Sequence, residues 1–143
     1  MKLMKRMLLA SGAVVSSLLL SAVVSPAIAA GGYGTPICGQ EFKDLSTLME
    51  KVRSLPGARV VSEDVFYLAV QHPQTNTIWT FTGQANPAMP SVICRRPVKD
   101  AEGKLTLHME VRCGAEKSAC DVLTGAFEKL NAQMIEKMQK SSQ

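Results

Sequence analysis

The sequence predicts an α+β domain with an N-terminal helix, a four-stranded antiparallel meander and a long C-terminal helix, the helices packed on one sheet face. Three observations carry that expectation. Residues 104–113 alternate, with Leu105, Leu107, Met109, Val111 and Cys113 on one parity and Thr106, His108, Glu110 and Arg112 on the other, the pattern of a half-buried strand. Residues 40–55 and 116–140 carry apolar side chains at spacings of three and four, as helices able to cover such a strand would. The other apolar runs are short, rich in β-branched and aromatic residues, and separated by turn chemistry.

The first 29 residues stand apart from that domain. Lys2, Lys5 and Arg6 precede an uncharged run over residues 7–24, closed by Ser25, Pro26 and the small-residue site Ala27-Ile28-Ala29. This reads as a secretory signal peptide cleaved after Ala29. The run approaches the roughly 18 to 20 residues of a membrane span, but its proline and small-residue ending favour cleavage. Of the 16 basic residues three lie in the leader, which leaves 13 against 12 acidic ones in the remaining 114 residues, a net charge of +1. Nucleic acid is excluded as a partner, since it would need a basic face or stripe.

All four cysteines, Cys38, Cys94, Cys113 and Cys120, follow the leader, and an even count in an exported chain reads as two disulfides. Three pairings exist. Cys113 closes one strand and Cys120 opens the next helix, so Cys113–Cys120 is the shortest bridge and Cys38–Cys94 follows by elimination. On the loop-entropy model the short bridge is worth about 2.5 kcal/mol and the long one about 4 kcal/mol.

In chain order, the glycines and Pro36 of residues 30–37 read as a flexible arm, and residues 38–143 as a single domain. Phe42, Leu45, Leu48, Met49, Val52 and Leu55 give the first helix its apolar face, and Pro56-Gly57 stops it. Residues 60–71 read as one strand, at least from 64 onward, and a turn over 72–76 returns the chain into a strand over 77–82. Residues 83–90 cannot continue a central strand, because Pro87 and Pro90 withhold ladder donors. A second hairpin joins residues 91–99 to 104–113, and with Lys99 facing Lys104 it sets Cys94 opposite Met109. Cys120, Leu123, Phe127, Leu130, Met134 and Met138 form the stripe of the last helix.

Two places draw attention as binding sites. Met89 stands between Pro87 and Pro90 on a connection stiffened against conformational loss, suited to entering a partner's cleft. His108, Glu110 and Arg112 share the polar parity of their strand, joined by Arg95 from the neighbouring one, and together they could hold an anionic group or move a proton. No catalytic constellation, metal site or cofactor is expected. The closest cysteines are separated by six residues rather than in Cys-x-x-Cys spacing, and four of the five methionines after the leader fall on core-facing positions rather than with His72 and His108 around copper. The stripe of the last helix runs past the length of a four-stranded sheet, so Met134, Ile135 and Met138 could touch a second copy, a partner or a membrane surface. The functional expectation is a small exported, disulfide-stapled binding module, periplasmic or secreted. It would work by contact with another envelope protein, as an inhibitor or assembly accessory. The alternatives are a small hydrolase or thiol-handling enzyme using His108 with Glu110 or Cys113, and a binder of a small apolar or anionic ligand between sheet and helices.

Overall fold

The computed structural model describes residues 35–141, so the expected signal peptide and residues 30–34 of the expected arm lie outside the described residues. The described end of that arm is held down. Ile37 is fully buried and exchanges backbone hydrogen bonds with Gln40 at 3.0 and 2.9 Å, across a turn in which Cys38 and Gly39 take positive φ. This turn delays the first helix. Helix α1 (Leu45–Arg53) begins where Asp44 accepts the Thr47 backbone N–H at 2.8 Å, rather than at residue 40. The Ser46 hydroxyl, then the backbone and hydroxyl of Thr47, hold the Asp44 carboxyl below the usual carboxylate range.

The sheet has five strands, β1 (Arg59–Glu63), β2 (Tyr67–His72), β3 (Thr77–Thr82), β4 (Ser91–Lys99) and β5 (Leu105–Cys113), antiparallel and in chain order. The extra strand comes from a turn inside the run expected to be continuous. Asp64 accepts the N–H groups of Phe66 and Tyr67 at 2.7 and 2.8 Å, its own N–H reaches the Tyr67 carbonyl at 2.8 Å, and the chain reverses there. Helix α2 (Lys117–Lys140) follows β5.

The register between β4 and β5 is one residue away from the expected one, with Lys99 opposite Leu105 and Cys94 opposite Glu110. Because side chains alternate across a sheet, that step decides which residues share a face. Leu68, Val70, Trp79, Phe81, Val92 and Cys94 lie on one face and pack with Ile37, Phe42, Leu48 and Val52 of the N-terminal segment and α1. Ile93, Tyr67, Met109 and Val111 lie on the other and pack with Leu123 and Phe127 of α2. The two helices therefore cover opposite faces, not one, because apolar residues occupy both parities of β4. Each large apolar side chain so buried contributes about 1.5–3 kcal/mol.

Two disulfides pin this three-layer arrangement. Cys38–Cys94 fastens the N-terminal turn to the middle of β4, and Cys113–Cys120 fastens the first turn of α2 to the end of β5. Along α2 the inward positions are Leu123, Phe127 and Asn131, while Leu130, expected in the stripe, is exposed.

Between β3 and β4, Gly83 lies so close to the turn at the start of β2 that a methyl group there would collide with the Val65 carbonyl. Gly83→Ala is therefore expected to lower stability by roughly 1–3 kcal/mol in urea unfolding. Gly125→Ala, in open space on α2, is expected to raise it by about 0.5–1 kcal/mol. Equal effects at the two positions would contradict this packing.

Candidate functional site

The connection over residues 83–90 is held in place by a series of backbone and side-chain hydrogen bonds. The N–H groups of Gly83 and Ala85 donate to the carbonyls of Phe66 and Val65 at 2.7 and 3.0 Å, which ties the loop to the β1–β2 turn. The Asn86 carboxamide accepts from the Ala88 N–H at 2.9 Å, and the Ser91 hydroxyl donates to the Ala88 carbonyl. The Gly114 N–H reaches the Pro90 carbonyl at 2.8 Å, and the Met89–Pro90 peptide is cis. Asn86 and Ala88 are the buried residues of this loop, while Pro87, Met89 and Pro90 are exposed. Beside it runs an apolar groove of about 440 Å³, walled by Phe66, Tyr67, Pro87, Ala119, Val122 and Leu123. Phe66, Met89 and Val122 leave 47, 45 and 74 % of their surface to solvent, a large apolar exposure on one part of the surface.

His108, Glu110 and Arg112 do share a parity, and it faces the N-terminal segment, which covers Glu110 and Arg112 while His108 stays exposed. Glu110 accepts the Cys38 backbone N–H at 3.0 Å and lies 3.1 Å from His108 Nε2, and Arg112 Nη2 donates to the Pro36 carbonyl at 2.6 Å. Arg112 Nη2 also stands 3.8 Å from Glu110. Burial pushes the Glu110 carboxyl up, but the Cys38 N–H, His108 and the Arg112 guanidinium together hold it below the usual carboxylate range. The row is a clamp on residues 36–38.

Arg95 does not join it. The register sets Arg96 opposite His108 and Arg95 opposite Met109, so Arg95 points the other way, under α2. It is 7 % exposed, with Nη1 donating to Asn131 Oδ1 at 3.3 Å and to the Met134 sulfur at 3.5 Å, and its guanidinium carbon 5.1 Å from the centre of the Phe127 ring. Burial holds its pKa below the ordinary arginine value, yet an arginine remains a cation. Its Nε is shielded and has no partner, and none of the ion pairs among the described residues includes it. A cation in such a place costs several kcal/mol of desolvation, which the ring and the amide only partly offset.

No protein-family model, curated protein or solved structure matches this chain. What the site can do rests on its side chains. All four cysteines are in disulfides, so no thiolate stands beside His108. Among the described residues no group of three or more His, Cys, Asp and Glu is placed to hold a metal ion, and no helix is long and apolar enough to cross a membrane. Met134 and Met138 turn toward the sheet, where they line a cavity with Ile78, Leu105 and Leu107, rather than projecting beyond it. Phe66, Val122 and Asn131 were outside the expected site. Their signals were an aromatic two residues after a turn-forming aspartate, a valine off the apolar stripe of its helix, and an amide at a position four residues after Phe127.

Because the folded-state pKa of Glu110 lies below its unfolded value, its contribution is present above the ordinary glutamate range and is lost as pH falls through the folded value. Glu110→Gln is expected to cost about 1 kcal/mol near neutral pH and to narrow the gap to the wild type on acidification to about pH 3. Urea midpoints at both pH values check this. A gap that widens on acidification would contradict the clamp.

Proposed function

We propose that this protein is an exported, non-catalytic binding module that acts by contact with another protein of the same compartment. The two disulfides fit an oxidising compartment outside the cytoplasm. The observation that carries the reading is the groove beside the 83–90 loop. Its exposed apolar side chains come from three separate elements, each fixed by hydrogen bonds or by the Cys113–Cys120 bridge, so a partner meets a surface with little left to order. The occupant is an apolar segment presented by that partner. It is held by side chains rather than by strand addition, because the bulge between Val60 and Ser62 breaks the regular edge of β1. Pro87 walls the groove on one side, with the exposed Met89 and Pro90 following it in the loop, and Val122 walls it on the other. Such a module works by occupancy, as an inhibitor or an assembly accessory in the periplasm or outside the cell does. No convergent acid, base and nucleophile favours turnover over contact.

Photo-crosslinking side chains placed at Phe66, Met89 and Val122, in the exported protein in its own cells, are expected to trap one and the same protein. Lys104 and Lys129, exposed elsewhere, are expected to trap none. Against that purified partner, Met89→Ala and Val122→Lys should each weaken binding, the second by about tenfold or more, without lowering the melting temperature. Adducts at none of the three positions, or only with further copies of this chain, would refute the reading.

A further inference from the structure

We propose that the cavity beneath the C-terminal half of α2 binds a monocarboxylate with an apolar body, and that the Arg95 guanidinium receives the carboxylate. This goes beyond the protein-contact reading and concerns the opposite end of α2 from Val122. The cavity, about 450 Å³, is walled by Ile78 from β3, Pro97 from β4, Leu105 and Leu107 from β5, and Met134 and Met138 from α2. Small-molecule sites typically span about 300–1,000 Å³ and have this make-up, apolar walls with a few polar groups.

The polar group is at the inner end. Arg95 is the only buried residue of the lining, whereas the six wall residues are half-buried, so the cavity runs from the guanidinium outward toward the turn between β4 and β5. The partners of Arg95 on the protein, the Asn131 amide oxygen and the Met134 sulfur, are both neutral, and Nε is left without any. A ligand that brings one negative charge neutralises the site in a setting where charge interactions are weakly screened.

The chemistry selects among anions. A guanidinium offers a planar fork that matches a carboxylate. One positive charge balances a monoanion, whereas a phosphate monoester would leave a second negative charge in the same shielded place. A neutral alcohol of the same shape fills the walls but leaves the cation uncompensated, and an alkylammonium is repelled. Gln71 and Asn76, at the rim, keep the mouth compatible with water.

The test is calorimetric titration of the oxidised protein with decanoate, decanol and decyltrimethylammonium, each below its micellar concentration, repeated on Arg95→Met and Leu105→Trp. Decanoate is expected to bind, decanol about tenfold more weakly or worse, and the ammonium probe not at all. Arg95→Met should erase the preference for decanoate over decanol while keeping the affinity for decanol. Leu105→Trp, which leaves the guanidinium in place and fills the mouth, should lose both. Absence of decanoate binding, equal binding of decanoate and decanol by the wild type, or a preference that survives Arg95→Met would each overturn the proposal. If Arg95→Met does not fold, the wild-type ranking of the probes and the Leu105→Trp result decide.

Discussion

A strand covered on both faces cannot slip by one residue without exchanging everything that touches it, and β4 is such a strand. Val92 and Cys94 face the layer of α1, Ile93 and Arg95 face α2, and all four are buried. The pairing of Cys94 with Glu110 and of Arg95 with Met109 then follows down the length of β5. A slip by one would carry Arg95 into the layer of Trp79 and Val52 and set Ile93 against the residues that clamp the N-terminal turn. The Cys38–Cys94 bridge locks this choice covalently, because its sulfur can be reached only from the α1 face. The short bridge at Cys113 completes the lock by holding α2 on the other side.

The same register separates the shielded charges into two kinds. On the α1 face Glu110 and Arg112 find each other and also bond the Cys38 N–H and the Pro36 carbonyl, so although Arg112 Nε, like that of Arg95, has no partner, opposite charges and charge-assisted hydrogen bonds offset much of the cost of taking them out of water. On the α2 face Arg95 finds an aromatic ring, an amide and a sulfur. The first arrangement orders a chain segment. The second leaves a net positive charge inside the fold.

Much of this architecture was legible in the sequence because local patterns do not depend on what they pack against. The alternation of Thr77–Thr82, and the proline loop and turn that flank Ser91–Lys99, returned those two strands with their observed bounds, and the spacing of Leu123 and Phe127 oriented the first half of α2. What escaped were single residues that override a pattern. Asp64 sits in a run of strand formers, yet its carboxylate satisfies two backbone donors and turns the chain. Asn131 occupies an inward position that helical spacing assigns to an apolar side chain, because it bonds Arg95 and the Met109 sulfur. The clamp was half visible. Its three side chains share a parity that any reader of the strand can count, but Cys38 and Pro36 lie 72 and 76 residues away from their partners, and no local signal joins them. Arg95 was placed beside the clamp for the same reason, since a single unit of register cannot be derived when the connecting turn permits more than one.

The cavity at Arg95 has a geometric origin that its chemistry then exploits. A helix of 24 residues is a nearly straight rod about 36 Å long, whereas a five-stranded antiparallel sheet twists beneath it. With its first turn fixed to β5 by Cys113–Cys120 and its middle packed through Leu123 and Phe127, α2 follows the sheet closely at one end and stands off at the other. Long, unbranched methionines bridge that widening gap without filling it. A gap walled only by such side chains would be a dry apolar void, and its closure by larger residues would stabilise the fold. The guanidinium at its inner end changes that balance, since an apolar filler would seal a cation away from every compensating charge. A void and a buried charge are each costly alone, and a single amphipathic anion relieves both at the same place.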